Sequence, residues 1–378
     1  MDASVPRVKL GVFDANITAT SPAGSCVLKM LLAAGQSYDL ELFTRKTDLE
    51  ASSGILIHRM PVLMKPVFVQ SFLFTVMSCV FNLFAAKKDH RIKISTQGGF
   101  PFCDISYAHC CHRLFLTRYR SHITGGLLTR TARLINQYWS AWMEAIAFRH
   151  ASMIVVPSQG LARELTAAYG AVVTPKLRVI ANPVDFEAFS SGQEDRSGKS
   201  FTFAFCALGN FEWKGLGLIL QALASGVQGN LKVIGGTNLE IERFQRLADS
   251  LEVSDRVCFV GMQTDIRPHL WTSHAFVFPS VYETFPLGCL QAAAAGLPLI
   301  ATDLYGIEEL LQTGVSGWRV ERAVESLKDD MRAAFEDAGR TSDMGHRARE
   351  LAGQYDVWSF QRRWVELLDQ FNSSIIRS

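Results

Sequence analysis

Two short stretches carry residues whose types and spacing could do chemistry. The first is Ala108-His109-Cys110-Cys111-His112, with two imidazoles and two thiols in a row. Such a set could hold a soft metal, cycle a vicinal thiol pair, or surround one working histidine. Side chains alternate across a strand, so His109 and Cys111 would share one face, and Cys110 and His112 the other, if the preceding DISYA run continued as strand. Four ligands then do not converge on one tetrahedral ion. No Asp-x-Asp and no other His/Cys/Asp cluster has metal-ligand spacing, so no metal site is expected.

The second stretch is FPSVYETFPLGCLQAAAAGLPLIATDLYG, residues 278–306. An apolar strand-like run enters a short loop, and good helix formers follow from Leu287 to Ala295, stopped by Gly296 with Pro298 just beyond. Thr284, Phe285, Pro286 and Leu287 fall where a helix start presents unpaired N–H groups, an end that binds phosphate without a basic side chain. Glu283 lies in this loop and Gln291 about one turn into the helix. Taken singly, Glu283 could be a solvated loop acid, His109 a satisfied strand-end histidine, and His112 a surface residue.

These residues need elements to hold them. VKLGVF (8–13), DLELF (39–43), IKIS (92–95), DISYA (104–108), MIVVP (153–157) and LRVIA (177–181) are expected as strands, separated by helical stretches such as SCVLKMLLAA (25–34). A second alternation contains FTFAFCAL (201–208), LKVIG (231–235), RVCFVG (256–261), HAFVFP (274–279) and LPLIAT (297–302). This is the pattern of two α/β domains with mostly parallel sheets, whose ligands bind beyond the carboxyl ends of the strands. We expect a first domain over 1–188, a polar linker over 189–200, a second domain over 201–355, and a terminal helix over 356–378 packing back toward the first domain. In that tail Trp364, Leu367, Leu368 and Phe371 follow helical spacing.

Charge is uneven. Residues 1–190 hold 20 Lys/Arg against 12 Asp/Glu, or +8, and the remainder 18 against 24, or −6, which sum to the net +2. The first half should favour anionic surfaces. RLFLTRYRSHITGGLLTRTARL (113–134) holds five arginines among apolar residues, either as a solvated face or to meet anionic lipid head groups. The start has no secretory pattern, so the 8 scattered cysteines are expected as reduced, buried small hydrophobes. Residues 66–86 are uncharged and long enough to span a bilayer. Yet Ser71, Thr75, Ser78 and Asn82 form a polar stripe, which suits a buried or interfacial helix better than a span.

At this point a family pattern emerges. The 278–306 segment resembles the Glu-x7-Glu signature of the retaining GT-B glycosyltransferases of family 4, with Glu283 at the first acid and Gln291 in place of the second. GNFEWKGLGLILQAL (209–223) resembles the family's Gly-…-Lys-Gly segment, with Lys214 where the donor diphosphate is neutralised. Many members add an arginine there, where this chain has Asn210 and Trp213. RVCFVGMQTD (256–265), RVIANPVDFEAF (178–189) and ASMIVVPSQGLAREL (151–165) are similar to further family segments in the same order. ITATSPAGSCVLKML (17–31) is similar to the glycine loop of the first domain, with Gly24 as the close-approach position.

The resemblance implies a GT-B fold, α/β, with two Rossmann-like domains facing each other across a cleft. It implies His109 and Glu283 as catalytic, and Gly24, Lys214, Thr284, Phe285, Pro286, Leu287 and Gln291 as donor-binding. The expected reaction is a retaining, metal-independent transfer from a UDP- or GDP-linked sugar, with no cofactor, to a lipid-linked or oligosaccharide acceptor in surface polysaccharide or glycolipid assembly. The expected location is cytoplasmic, peripheral on the inner face of the cytoplasmic membrane, in contact with anionic lipid and not with nucleic acid. Gln291 and the missing arginine also allow a catalytically weakened GT-B protein that serves as a partner or sugar-binding subunit.

Overall fold

The computed structural model describes residues 7–61, 67–85, 91–123, 126–192, 196 and 199–377. The chain divides into two compact units. Unit 1 comprises residues up to Asn182 together with Trp358–Ser378, and unit 2 comprises Pro183–Val357.

Unit 1 is built on a seven-stranded sheet from β1 (Lys9–Phe13), β3 (Asp39–Thr44), β5 (Ile55–Arg59), β6 (Arg91–Thr96), β7 (Ile105–Tyr107), β8 (Met153–Val156) and β9 (Leu177–Val179). The two-residue strands β2 (Asn16–Ile17) and β4 (Lys46–Thr47) pair beside it. The order is β5-β3-β1-β6-β7-β8-β9 and every pair is parallel. Its helices are α1 (Pro22–Ala34), α2 (Val67–Ala85), α3 (His112–Arg118), α4 (Leu127–His150) and α5 (Gln159–Tyr169).

Unit 2 opens with α6 (Phe186–Ser190) and holds a six-stranded sheet of β10 (Thr202–Ala207), β11 (Asn230–Gly235), β12 (Val257–Gly261), β13 (Ala275–Phe278), β14 (Leu299–Ala301) and β15 (Gly317–Arg319). The order is β12-β11-β10-β13-β14-β15, again parallel throughout. Helices α7 (Phe211–Lys214), α8 (Leu216–Ala224), α9 (Asn238–Ser250), α10 (Arg267–Trp271), α11 (Leu287–Ala294), α12 (Val324–Glu336) and α13 (Ala338–Ala352) accompany it. In each sheet the first strand lies inside and the order reverses beside it, the doubly wound, Rossmann-like arrangement expected from the alternation.

Two strands of the principal sheets were not foreseen. β5, ILIHR, is an edge strand with no fully buried residue, and β15 is the three-residue GWR, too short to announce itself by period. The unit boundary also differs from the expected 188/189 junction. Residues 183–192 lie with unit 2: Val184 N–H donates to the Tyr355 carbonyl at 2.8 Å, and Trp271 Nε1 donates to the Phe189 carbonyl at 2.7 Å. Within the expected linker Arg196 is fastened to unit 2, its guanidinium donating to the carbonyls of Trp271, Ala295 and Gly296, each at 3.0 Å. Five of the twelve positions of 189–200 (193–195, 197 and 198) lie outside the described residues.

Helix α14 (Val357–Arg377) belongs to the core of unit 1. Phe360, Trp364, Leu367, Leu368 and Phe371 join one buried cluster with β1, β3, β6 and α1. Tyr38 Oη donates to Asp369 at 2.6 Å, and Gln361 Nε2 donates to the Lys29 carbonyl at 2.9 Å. All eight cysteines are free thiols. Cys258 departs from the expected burial, because β12 is the edge of its sheet and turns this side chain outward.

No helix among the described residues is long and apolar enough to cross a membrane. Pro66 and Ala86, the ends of the apolar stretch, lie outside the described residues.

Trp364 is fully buried, so Trp364→Ala should lower the stability of unit 1 by about 3–5 kcal/mol through lost burial and a residual cavity. Urea unfolding followed by circular dichroism measures it; a change below about 1 kcal/mol would show that α14 is not part of the core.

Candidate functional site

In unit 2 two of the expected site residues, Lys214 and Glu283, come together. β13 is buried along its whole length and ends at Phe278, so its chain emerges at the carboxyl edge of the sheet, beside the loop that follows β10. Gly215, immediately after α7, has φ +86°, and a Cβ there would stand 2.5 Å from the Pro279 carbonyl oxygen. Only glycine permits both that backbone conformation and that approach. The approach brings Lys214 beside the 280–286 loop. Lys214 Nζ donates to Glu283 Oε1 in a partly buried ion pair, Ser280 Oγ donates to the same oxygen at 3.0 Å, and Nζ lies 5.6 Å from the Phe278 ring centroid.

Backbone bonds fasten the two loops. Val281 N–H donates to the Trp213 carbonyl at 3.1 Å, and Trp213 Nε1 donates to the Tyr282 carbonyl at 3.3 Å. Arg322 adds a clamp, Nε to the Pro279 carbonyl at 3.2 Å and Nη2 to the Glu212 carbonyl at 3.0 Å. Ser280 and Arg322 were not foreseen. Ser280 could have been flagged by its position at the strand end, whereas Arg322 follows β15, the strand that short-range pattern does not reveal.

Pro286 is the N-cap of α11 and supplies no side-chain hydrogen bond to the helix start. Proline has no group to do so, and the first-turn N–H groups of Leu287 and Gly288 have no carbonyl within the helix to donate to. Phe285 is buried against Tyr355, ring centroids 5.9 Å apart, and under Gly306, where a Cβ would stand 2.3 Å from the ring. It anchors the loop; Thr284 and Glu283 beside it are partly exposed. Gln291 lies in the second turn of α11, also partly exposed. The set is therefore a cation, a carboxylate and an uncapped helix start held together. Such a set can take a diphosphate and position a hydroxylated group next to it.

Gly24 and His109 belong to unit 1. A Cβ on Gly24 would stand 1.9 Å from the Asn16 carbonyl oxygen, so α1 can approach the β1 exit only because this residue is glycine. Asp14, just past β1, accepts from Asn16 N–H at 2.7 Å and from the Thr96 hydroxyl. Burial pushes the Asp14 pKa up, against those two bonds. Asp14 and Thr96 are polar residues at strand ends that the sequence analysis left unmarked.

His109 follows β7, and its ring lies 4.1 Å from that of the buried Tyr107. Burial pulls its pKa down to about 4, so the imidazole is neutral at neutral pH. The strand does not run on through AHCCH: Cys111 caps α3 and His112 begins it. His112 is occupied structurally, its N–H donating to Glu144 Oε2 at 3.0 Å and its Nδ1 2.8 Å from Gln137 Oε1. Tyr169 Oη donates to the other Glu144 oxygen at 2.6 Å. Among the described residues no three His, Cys, Asp or Glu side chains are grouped to hold a metal ion.

Sequence comparison fits this geometry. Residues 28–188 match the family described as glycosyltransferase family 4, and residues 193–351 match glycosyl transferases group 1. The two matches lie on the two Rossmann-like units in order, and the chain belongs to the GT-B glycosyltransferases of family 4.

Two curated relatives illustrate the similarity. The lipopolysaccharide core biosynthesis glycosyltransferase LpsE of Rhizobium meliloti (strain 1021) is 31% identical over 173 residues, 43% of this chain and 48% of that protein. The N,N'-diacetylbacillosaminyl-diphospho-undecaprenol alpha-1,3-N-acetylgalactosaminyltransferase of Campylobacter jejuni (subsp. jejuni serotype O:2) is 28% identical over 118 residues, 31% of each chain. In both the matching stretch spans less than half of the relative's length. Among solved structures, Anabaena Alr3699/HepE in complex with UDP and glucose superposes with a TM-score of 0.68 at 17% identity, covering 96% of this chain and 100% of that one.

Because His109 in the folded chain stays neutral to about pH 4, whereas an unfolded histidine takes up its proton near pH 6.5, its contribution to stability is complete above about 6.5 and is lost as pH falls toward 4. His109→Gln removes that dependence. Urea midpoints measured from pH 7.5 to 4.5 should fall more steeply for the wild type than for the variant, and parallel profiles would refute a neutral, buried His109.

Proposed function

We propose that the chain is a retaining glycosyltransferase that moves a sugar from a UDP- or GDP-linked donor to a lipid-linked or oligosaccharide acceptor, in surface polysaccharide or glycolipid assembly. The observation that carries this reading is the joint placement of Lys214 and Glu283 beside the uncapped start of α11. Lys214 and the α11 N–H groups would stabilise charge on the departing diphosphate, preorganised before the bond breaks. Glu283 would orient hydroxyls of the donor sugar, and Gln291 would hydrogen-bond the ribose through its amide, which can both donate and accept. Neutral His109, in unit 1, is proposed as a hydrogen-bonding group toward the transferring sugar and not as a cation.

With no covalent nucleophile assigned, retention would follow from departure and attack on the same face, the leaving phosphate oxygen taking the acceptor proton. The lysine and helix start supply the charge stabilisation, so transfer is proposed to need no metal. The names of the two relatives, one in lipopolysaccharide core synthesis and one acting on a diphospho-undecaprenol sugar, support an acceptor carried on lipid at the inner face of the cytoplasmic membrane. Gln291 and the absence of an arginine at positions 210 and 213 favour one second reading, a weakened subunit that binds sugar without turnover.

The discriminating assay incubates the protein with UDP-, GDP- and ADP-sugars and a lipid extract, and follows nucleotide release with and without a chelator. Turnover should survive the chelator. Lys214→Met and Glu283→Ala should each lower kcat/KM by about 10²–10³-fold, the usual consequence of losing one preorganised stabilising group. Gln291→Ala should raise the donor KM about fivefold, as for one neutral hydrogen bond. Donor binding without turnover by any of the sugars would favour the subunit reading, and no binding at all would defeat both.

A further inference from the structure

Helix α2 carries apolar residues on its outer face as well as on the face that packs Phe74, Met77 and Phe81 against the core. It contains no charged residue, yet its polar stripe is turned inward: Ser78 is 0% and Thr75 6% exposed, while Phe72 is 46%, Val76 41%, Val80 43% and Leu83 70% exposed. Positions 72, 76, 80 and 83 follow the helical repeat, so they form one continuous outward stripe. An ordinary amphipathic helix of a water-soluble domain carries polar residues on its outer face. The inward polar groups are satisfied locally: the Thr75 hydroxyl donates to the Ser71 carbonyl at 3.0 Å, and the Ser71 hydroxyl donates to Asn136 Oδ1 of α4 at 3.2 Å.

The stripe is continued by α4. Phe72 meets Trp139 edge-on at 5.1 Å between centroids, and Trp139 meets Trp142 at 5.3 Å. Trp142 is 58% and Leu128 87% exposed, and with Ile135 and Trp139 they recur on one face of α4. Contiguous exposed apolar surface of this kind marks an interaction site. Its chemistry is indicated by the surrounding charge. Over residues 105–150 there are six arginines, at 113, 118, 120, 130, 133 and 149, all exposed, against one acid. That acid is Glu144, which is buried. Aromatic and aliphatic side chains that enter the acyl boundary, in a region of nearby arginines without exposed acids, match an anionic bilayer surface.

We propose that the outward faces of α2 and α4 form a monotopic docking surface that inserts into the interface of an anionic membrane. The inference deepens the reading of a lipid-carried acceptor and rests on it for its purpose. The test is made without donor or acceptor, so that the two can fail separately. Purified full-length protein is sedimented with vesicles of phosphatidylcholine alone or with 30% phosphatidylglycerol (about one anionic lipid in three, enough for a negative surface potential).

Wild type should pellet with the anionic vesicles, at least about tenfold more than with neutral ones, and its tryptophan fluorescence should be quenched by lipids brominated on the acyl chain. The double variant Val76→Glu/Leu83→Glu, both positions being exposed, should lose vesicle binding about tenfold or more while keeping its circular dichroism spectrum and donor binding. Trp142→Ser serves as an independent variant should the first not fold. Leu239→Glu, at an exposed leucine of unit 2, should bind vesicles like wild type. Absence of vesicle binding, or equal binding by wild type and both patch variants, overturns the proposal. So does a stable dimer in light scattering that the double variant abolishes without any lipid binding, because the face would then be covered by a second copy. Vesicle binding without sugar transfer would defeat the glycosyltransferase reading and leave the docking surface standing; transfer without vesicle binding would do the reverse.

Discussion

The polar groups gathered in unit 2 depend on a single close approach, that of Gly215 to the carbonyl of Pro279. A methyl group at that position would collide with the oxygen, and the left-handed backbone conformation would be strained for any other residue. Because the contact is made, α7 ends against the exit of β13, and Lys214 reaches Glu283. The Val281–Trp213 and Arg322 bonds then keep the two loops in register. The partly buried pair stays hydrogen-bonded through Ser280, so neither charge is left uncompensated. That matters because an isolated charge in such a place would cost several kcal/mol.

Unit 1 solves a different problem. Its parallel sheet is buried on both faces, so polar residues collect where strands end: Asp14 after β1, Thr96 at the end of β6 and His109 after β7. Burial acts on each according to its charge type, raising the acid and lowering the base, and both are driven toward their neutral forms. A neutral His109 is a directional hydrogen-bonding group held against the Tyr107 ring. Helix α14 supports this arrangement from the far end of the sequence, since Trp364 meets the Tyr107 ring edge-on at 4.9 Å between centroids.

The inward polar stripe of helix α2 is explained by what it packs against. Its inner face meets hydrogen-bonding partners such as Asn136, so serine and threonine are satisfied there, and no free-energy penalty forces them outward. Phe74, Met77 and Phe81 pack inward against the core, and Phe72, Val76, Val80 and Leu83 are left on the outer face.

Much of this was legible from residue order. Eleven of the strands of the two principal sheets follow from apolar runs between glycines, prolines and helical stretches; the edge strand Ile55–Arg59, never fully buried, and the three-residue Gly317–Arg319 escape such a pattern. The strand–loop–helix around Glu283 was readable because buried strands, helix formers and a glycine–proline stop are local signals. The alternation of side chains expected through AHCCH does not hold, because the chain leaves the strand at Tyr107 and begins a helix at His112. What sequence determined by itself is therefore the order of elements and the residue types at their ends, since both follow from local propensity and hydrophobic period. Tertiary structure alone decided that Lys214 meets Glu283 across sixty-nine positions of chain, that His109 is neutral, that Arg322 clamps two loops, and which face of α2 is turned out. Each of these depends on burial and on contacts between residues far apart in the chain, which no local pattern encodes.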